Sequence, residues 1–473
     1  MIGEGTAPSR EMERGRRSSE NLFRVVPGML KKHSRNVRCA VDAWSLFISS
    51  NILELILHWT KPHVGNLTSD ELKTFIALQY ARGICGKNHS LRFLWNSGFG
   101  PSIFKDNMTR ERFQKLQRWL RFDDSSKRTE RRKTDPFTHI RQIFELFTLN
   151  CRSTYKPHFT LSVDEQLMSS KNRCSFITYM PNKPDKFGIK FWMVVDNETK
   201  YVYNILPYLG AYERESRAGR RLSDDVVFRL LEGLFNKGYN VTTDNFFTSS
   251  HLAHSLRMRG TTMVGTMRPN RCRSVQFLTS TMLQPYESSF HWDDEWKQLI
   301  VKYQSRKQKH VVLLSTMHRL FEIDGTPKRK PLVVKFYNQN KCGVDIVDGM
   351  LKMYTCRSTS RRWPIAVWGN MLDIAALNAW ICYREATGDN ISRKNFIMKL
   401  IEELCQVTIK QSNSISYISQ IRDATSNLKC STCGCRNTGN ILCRRCRRNV
   451  PDVAAQRQSP GSVYLYATCA MYK

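Results

Sequence analysis

The chain has 473 residues, which predicts two to four domains, and its 41% hydrophobic and 11% aromatic residues can form a sizeable core. This composition excludes a globally disordered chain. The formal net charge is +33, from 74 Lys and Arg against 41 Asp and Glu, and it favours nucleic acid as the partner through neutralisation of phosphates. Ribosome-like or membrane-surface binding are the alternatives that the charge alone leaves open.

The compartment follows from apolar runs and cysteine usage. No run reaches the length of about 18 apolar residues that a membrane span needs, and the polar N-terminus lacks the apolar segment of a signal peptide. We therefore expect an intracellular protein whose 15 cysteines are mostly core thiols. Basic runs at 127–133 and 444–448 are typical of nuclear-import signals, so the nucleus is the expected location.

The first part of the chain is predicted to be helical. Residues 1–20 are polar and rich in Arg and Ser, and we expect them to be disordered. Residues 21–157 carry apolar residues at helical spacing, and segment Asp123–Asp135 between two of the helices is predicted to be a charged loop. The predicted helices are Ala43–Trp59, Asp70–Ala81, Arg110–Leu120 and His139–Leu149.

The pattern changes at about Phe159, where short β-prone runs begin. Residues 158–270 predict three strands followed by alternating helices and strands, an order that fits an RNase H-like mixed α/β sheet. The predicted elements are strands Phe159–Val163, Phe187–Val195 and Tyr201–Leu206, helix Asp224–Phe235 with Ser223 as its cap, strand Asn240–Thr243, helix Ser249–Arg259 and strand Thr261–Thr266.

The rest of the chain interrupts and then resumes this pattern. Residues 271–337 predict an inserted, mostly β module, with β-prone pieces at Lys297–Tyr303, His310–Leu314 and Leu332–Tyr337. Residues 338–409 return to the core, with predicted helices at Asp345–Thr355, Pro364–Glu385 and Arg393–Val407. A linker at 410–429, a cysteine-rich module at 430–446 and a divergent tail at 447–473 follow.

Four aspartates mark the predicted element boundaries. Asp164 and Asp244 each close an apolar strand, and Asp345 and Asp348 share one face of a helix. Carboxylates gathered in this way repel one another and need a cation, and hard oxygen ligands suit Mg²⁺ or Mn²⁺. The pattern therefore predicts a two-metal phosphoryl-transfer site. The alternative is that these aspartates are solvated or cap helices, and Glu165, on the other strand face, is expected to play a supporting part.

Two cysteine pairs predict a second metal site. Cys430 and Cys433 form one Cys-x-x-Cys pair, and Cys443 and Cys446 form another, with nine residues between the pairs. Four thiolates at such spacing are typical of a structural Zn²⁺ site. The alternative is a cysteine-rich basic tail without metal.

Several sequence blocks together resemble the piggyBac transposases. They are SVDEQL at 162–167, YMPNKP at 179–184, KFGIK at 186–190, PYLG at 207–210, DNFFTS at 244–249, GVDIVDGM at 343–350 and RWP at 362–364. The blocks follow the family's order, and the resemblance covers roughly residues 40–446. It implies an RNase H-like catalytic core split by an insertion and flanked by a helical region for DNA binding and dimerisation. It also implies cut-and-paste transposition at TTAA sites on double-stranded DNA.

The resemblance assigns roles to individual residues. Asp164, Asp244 and Asp345 match the family's catalytic triad, and Asp348 matches a further acidic residue that is needed there. Such a site implies Mg²⁺ or Mn²⁺ as cofactor and a homodimer acting on DNA, with no small-molecule substrate. Trp363 matches a family tryptophan near the catalytic centre, against the alternative of a plain core aromatic.

Basic residues are the candidates for DNA contact. Arg268 and Arg271 match family positions that contact DNA near the second aspartate, although a solvated basic turn would explain them too. Arg361 and Arg362 could meet phosphates or form a charged cap before a helix.

The C-terminal end departs from the family pattern, which has further Cys and His ligands for a second zinc. No histidine follows His318 and only Cys469 follows Cys446, so the two cysteine pairs either share one Zn²⁺ or leave no intact site. The leading prediction is a metal-dependent piggyBac-like transposase. A domesticated, transposase-derived nuclear DNA-binding protein is the second, and a basic RNA- or chromatin-associated protein with incidental aspartates is the third.

Overall fold

The computed structural model describes residues 22–86, 89–181, 183–210, 221–274, 282–358 and 360–405. All of them belong to one compact unit, Met1–Val407. The N-terminal segment 1–20, the linker, the divergent tail and the two cysteine pairs predicted to bind Zn²⁺ lie outside the described residues. The cysteines concerned are Cys430, Cys433, Cys443 and Cys446.

A nine-stranded mixed sheet is the main β structure of the described residues. Its strands are β3 (Thr160–Ser169), β4 (Ile177–Tyr179), β5 (Phe187–Asp196), β6 (Val202–Pro207), β7 (Asn240–Thr243), β8 (Thr262–Thr266), β9 (Ser288–Asp293), β10 (Gln298–Arg306) and β11 (Lys309–Ser315). A separate two-stranded sheet joins β1 (Gly28–Met29) to β2 (Tyr155–Lys156).

The order of strands explains where the predicted acidic residues meet. One edge of β5 pairs with β3, and its other edge pairs with β4 and β6, all antiparallel. β3 and β7 are parallel, as are β7 and β8, and the antiparallel strands β11, β10 and β9 continue the sheet beyond β8. The strands and helices predicted between Phe159 and Thr266 are therefore present in the predicted order.

Fifteen α-helices cover or flank the sheet in the described residues. They are α1 (Lys31–Ser34), α2 (Ala40–Ser45), α3 (Ser50–Val64), α4 (Ser69–Cys85), α5 (Leu91–Leu94), α6 (Ser102–Asn107), α7 (Arg110–Trp119), α8 (Arg128–Thr134), α9 (Arg141–Thr154), α10 (Leu222–Leu230), α11 (Ser250–Arg257), α12 (Leu332–Asn340), α13 (Gly343–Met353), α14 (Trp363–Thr387) and α15 (Arg393–Leu404).

Two predictions in the helical region were wrong. The single helix expected at Ala43–Trp59 is two helices, because the chain breaks after Ser45, and Asn150 of α9 donates to the freed carbonyl of Phe47. The charged loop expected at Asp123–Asp135 contains α8. Arg128 and Arg131 of this helix both bind the nearly buried Asp123 carboxylate, so that its charge is paired.

Three further local predictions need correction. Leu332–Tyr337 was expected to be β-structure but lies in α12, whose start after Pro331 buries the neighbouring Val333 and Val334. Ser223 is inside α10 rather than at its cap, which is Arg221. β3 does not end at Asp164 but continues to Ser169, since β5 pairs with its whole length.

The long helix α14 lies at the centre of the core. It contains an 18-residue stretch with a mean hydropathy of 1.3, so the helix is long and apolar enough to cross a membrane by length and composition, although no membrane-length run was expected from the sequence. The same stretch is 94% buried inside the protein, which is typical of a core helix. Buried polar groups fix its position: the Tyr80 hydroxyl donates to the Leu372 carbonyl and accepts from the indole of Trp44.

Asn378 of α14 provides a test of this packing. Its side-chain amide donates to the carbonyl of Val202 and accepts from the amide of the same residue, both at 2.9 Å. Asn378→Ala leaves both buried backbone groups of β6 without partners, so we expect the free energy of unfolding to fall by about 2–4 kcal/mol. Urea denaturation measures the change, with the exposed Asn51→Ala as control, expected within about 0.5 kcal/mol of the parent. Equal midpoints for the two variants would contradict this account.

Candidate active site

A cavity of about 260 Å³ brings together three of the four predicted aspartates. We call it the acidic cavity, and Asp164, Asp244 and Asp345 all line it. The other lining residues are Val163, Thr242, Thr243, Tyr337, Lys341 and Cys342. The cavity therefore joins β3, β7 and the start of α13, as the positions of the aspartates in the sequence predict.

Strand register places Asp164 beside Asp244. Val163 pairs with Thr243 in the parallel ladder between β3 and β7, so the next residue of each strand emerges at the same edge of the sheet. A turn then fixes Asp244: its Oδ1 accepts from the Phe246 amide at 2.9 Å, and its carbonyl accepts from the Thr248 hydroxyl at 2.8 Å. Gly265 makes room for this turn, because an added Cβ would lie 2.1 Å from Thr248 Oγ1.

A polar network places Asp345. Ser162 Oγ of β3 lies within hydrogen-bonding distance of Asn197 Oδ1 and of the carbonyl of Asn340, the last residue of α12. The Asn197 amide also donates to Asn340 Oδ1 at 3.2 Å. Gly343 fits beneath this network, since an added Cβ would lie 2.3 Å from Asn197 Oδ1. The first turn of α13 is thereby held against β3 and carries Asp345 to the acidic cavity.

The carboxylates of the cavity carry a charge that the protein itself does not fully compensate. Burial, followed by repulsion from Glu165 and Asp244, raises the pKa of Asp164 well above its usual range. Burial also raises the pKa of Asp244, although the amides of Phe246 and Phe247 and the nearby Arg268 and Arg271 act against the rise. Both pKa shifts mean that the ionised forms of Asp164 and Asp244 are disfavoured in this cavity.

Lysine and glutamine side chains engage the two acids of α13. Lys183 Nζ, from the turn between β4 and β5, lies 3.3 Å from Asp345 Oδ1 and 4.0 Å from Glu165 Oε1. Asp348 lies one turn further along, where its Oδ1 accepts from Gln166 at 3.3 Å and its Oδ2 is 2.8 Å from Lys352 Nζ. Asp348 is thus beside, rather than among, the residues that line the acidic cavity.

The donor set fits a hard divalent cation. All three acidic side chains of the cavity offer carboxylate oxygens, which Mg²⁺ and Mn²⁺ prefer, and the repulsion between Asp164 and Asp244 calls for positive charge. Within the described parts of the chain, however, no three His, Cys, Asp or Glu side chains form a ready-made metal-holding group. The three carboxylates line one cavity, but the ammonium of Lys183 already lies 3.3 Å from Oδ1 of Asp345.

The candidate DNA-contacting residues lie at two places. Arg268 is exposed and precedes the short 3₁₀ turn Pro269–Arg271, and the guanidinium of Arg271 donates to the carbonyls of Asn245 and Phe246 behind Asp244. Both arginines are near enough to Asp244 to lower the pKa of its carboxyl. They therefore adjoin the acidic cavity, while their contact with DNA stays a prediction.

The second group forms a separate basic cavity of about 240 Å³. Its lining residues are Arg121, Phe122, Asp123, Arg128, His139, Arg361, Arg362, Trp363 and Pro364. Arg362 is mostly buried and donates to the carbonyls of Arg118 and Leu120, and burial, followed by repulsion from Arg121 and Arg128, lowers its pKa to about 10. Trp363 is 8% exposed and packs against Phe137 and Phe176, so it is a core aromatic with one edge on this cavity.

Sequence reasoning missed Lys183, Tyr337 and Lys341. Lys183 was part of a motif, but no periodic pattern predicts that a turn residue reaches Asp345, 162 residues further along the chain. Tyr337 and Lys341 were assigned to the inserted module and to the chain that follows it, whereas both line the acidic cavity.

Comparisons with known proteins agree with this fold. The model of a family described as Transposase IS4 matches residues 39–380, which is more than half of the chain. A solved cryo-EM structure of a piggyBac transposase synaptic complex with hairpin DNA has a TM-score of 0.76 and 29% sequence identity, and the similarity covers 90% of this chain and 97% of that one. The matching family model and the shared fold therefore define a transposase-family protein.

Two curated human relatives specify the family further. PiggyBac transposable element-derived protein 2 of Homo sapiens is 22% identical over 390 residues, which are 76% of this chain and 64% of the relative. PiggyBac transposable element-derived protein 3 of Homo sapiens is 21% identical over 369 residues, or 73% of this chain and 61% of the relative. The chain belongs to the piggyBac family, and its matches span less than two thirds of the length of these relatives.

The raised pKa of Asp164 predicts the effect of pH on stability. An acid whose pKa is higher in the folded than in the unfolded state contributes stability that is lost as pH rises through the folded-state pKa. Asp164→Asn, which removes the charge, should therefore raise the Tm of the metal-free protein by roughly 1–3 °C at pH 7.5. The difference should disappear near pH 3, below the usual carboxyl pKa of about 3.9.

Differential scanning calorimetry in EDTA across this pH range is the measurement. Asp225→Asn, a helix carboxylate 3.6 Å from Arg229, is the control and should not raise the Tm. A lower Tm for Asp164→Asn at pH 7.5 would contradict the view that the cavity is electrostatically strained.

Proposed function

We propose that the chain is a piggyBac-like DNA transposase that performs metal-dependent cut-and-paste transposition at TTAA sites. The observation that carries the proposal is the convergence of Asp164, Asp244 and Asp345 on one cavity from three separate parts of the sequence. Family membership supplies the class of reaction, and the cavity supplies the acidic groups that this class of reaction needs.

The strand order supports an RNase H-like catalytic core in this proposal. Strands β3, β5 and β6 form an antiparallel meander, and β7 and β8 then add parallel to β3. Strands β9 to β11 lie in the proposed insertion, residues 271–337, and extend the same sheet from β8. The insertion reaches the acidic cavity through Tyr337, whose hydroxyl lies 3.2 Å from Thr266 Oγ1.

The proposed chemistry is a series of in-line displacements at phosphorus. Water first cleaves a phosphodiester and frees a 3′-hydroxyl, which attacks the opposite strand and gives a hairpin; hairpin opening and strand transfer follow. Bound Mg²⁺ or Mn²⁺ would activate the attacking oxygen and stabilise the leaving one. Asp164, Asp244 and Asp345 would hold the cations, and Asp348, fixed by Gln166, would support α13 from the next turn. Most of the rate would come from positioning and charge neutralisation.

Charge supports double-stranded DNA as the substrate. The net charge of +33, the exposed Arg268 beside Asp244 and the basic cavity next to Arg361 all suit phosphates. The solved relative was determined with hairpin DNA. We extend the proposal to a homodimer located in the nucleus, and to Zn²⁺ held by the two C-terminal cysteine pairs.

A domesticated DNA-binding protein without transposition activity is the second candidate. The observation that favours it is that the two human relatives are themselves named transposable element-derived proteins. Such a protein would keep the fold and the basic surfaces without needing the acidic cavity to work.

Strand cleavage separates the two candidates. We expect Mn²⁺-dependent cleavage of TTAA-flanked transposon-end DNA, and Asp244→Asn should lower its rate by at least about 10³-fold, because one carboxylate of the proposed metal site is lost. The assay follows end-labelled duplex on denaturing gels, with Asp225→Asn as the carboxylate control outside the cavity. Retained DNA binding without cleavage by the parent chain would instead support the domesticated protein.

The basic cavity yields a paired prediction for DNA binding. Arg361 is exposed at its rim, so Arg361→Ala should leave the Tm unchanged and reduce the salt dependence of DNA binding by about one phosphate contact. Arg362→Ala should lower the free energy of unfolding by about 1–3 kcal/mol, because the carbonyls of Arg118 and Leu120 lose their donor. Calorimetry and fluorescence anisotropy at several salt concentrations measure the two effects. If Arg361→Ala instead lowered the Tm and left the salt dependence of DNA binding unchanged, Arg361 would be excluded as a phosphate contact.

A further inference from the structure

Lys183 is held over the acidic cavity by a short hairpin. Strands β4 and β5 pair as far as Tyr179 and Phe187, whose exposed rings lie 4.8 Å apart. The connecting turn is closed by the Met180 amide, which donates to the carbonyl of Lys186 at 2.8 Å, and by the Lys183 amide, which donates to the carbonyl of Met180 at 3.2 Å. The hairpin thus presents the Lys183 side chain, 25% exposed, to the carboxylates from one side.

The ammonium of Lys183 is the cation that pairs with Asp345. It is 3.3 Å from Asp345 Oδ1 and 4.0 Å from Glu165 Oε1, and near the half-buried Asp164. Asp345 is 58% exposed, so its carboxylate has room to turn. An ammonium in contact with a carboxylate opposes a divalent cation at the same oxygens, because like charges a few ångströms apart repel even in water.

We propose that Lys183 is the counter-ion of Asp345 in the metal-free centre, and that it passes from Asp345 to a DNA phosphate when Asp345 becomes a metal ligand. The proposal rests on the proposed function. It explains why the three aspartates share a cavity although the described residues contain no preformed three-ligand group. The lysine stem is long and flexible, and the turn that carries it lies at the protein surface, so the exchange needs no change in the sheet.

Metal binding without DNA tests the first half of the exchange. Isothermal titration of Mn²⁺ into the full chain should show tighter binding for Lys183→Met by about two- to fivefold, the factor that corresponds to a partly exposed ion pair. Lys183→Arg keeps the cation and should match the parent. Lys186→Met removes the same charge from an exposed position of the same hairpin and should also match it. Thermal unfolding of each variant confirms that it is folded.

DNA binding tests the second half. With a pre-cleaved transposon-end duplex and Mn²⁺ present, Lys183→Met should weaken binding and reduce the slope of log K against log salt by about one. In EDTA, where Lys183 stays on Asp345, the parent and Lys183→Met should have the same slope. A merely structural lysine would not make the slope depend on metal in this way.

Three outcomes distinguish the proposals. Unchanged or weaker Mn²⁺ binding by Lys183→Met, with binding lost in Asp244→Asn, would overturn the exchange and leave the metal site intact. A slope that is the same with and without Mn²⁺ would also overturn it. Absence of Mn²⁺ binding by the parent chain, or binding unaffected by Asp244→Asn, would overturn the metal site of the proposed function and the exchange with it.

Discussion

The parallel ladder between β3 and β7 is the constraint on which the candidate site depends. Its last pair, Val163 and Thr243, fixes the positions from which Asp164 and Asp244 emerge, and a slip of one residue would turn one aspartate to the other face of the sheet. The register is strongly specified, because Leu161, Val163 and Val241 are all buried in the core. Packing of apolar side chains thus determines the separation of two charged ones.

The third aspartate is placed by a different kind of interaction. Asp345 lies in the first turn of α13, and this turn contacts β3 through polar groups: Ser162, Asn197 and Asn340 are mutually within hydrogen-bonding distance. Gly343 allows the helix to approach them closely. Polar contacts of this kind leave the Asp345 side chain exposed, whereas Asp164 in the strand ladder is half-buried. One side of the cavity is therefore rigid, because strand pairing fixes it, and the other is open to solvent.

The sequence predicts the rigid side better than the open one. Short apolar runs ending in Asp164 and Asp244 are local patterns, and helical spacing predicts α13, so the amino-acid sequence alone is enough to single out the three aspartates. It is not enough for Lys183, because a lysine in a turn of so basic a chain carries no distinguishing pattern. Leu332–Tyr337 was mistaken for a strand, since its adjacent Val333 and Val334 are β-prone while only tertiary packing reveals that they are one buried helix face. Helix α8 was missed because it is stabilised by a tertiary contact, the pairing of its Arg128 and Arg131 with the buried carboxylate of Asp123.

The two sides of the cavity differ in how far their aspartates are buried, and this difference affects both the stability of the fold and the binding of cations at the proposed site. Burial raises the pKa of Asp164 and Asp244, so the folded chain keeps their charge at a cost in stability that hydrophobic packing of β3 and β7 must offset. The same strain would favour cation binding, because a divalent ion relieves it. A third aspartate on the strand ladder would lower the stability further without improving how the strands position the first two. Placing Asp345 at the surface with Lys183 as its counter-ion limits that cost, and in the proposed site it makes Asp345 the ligand that responds to metal and DNA.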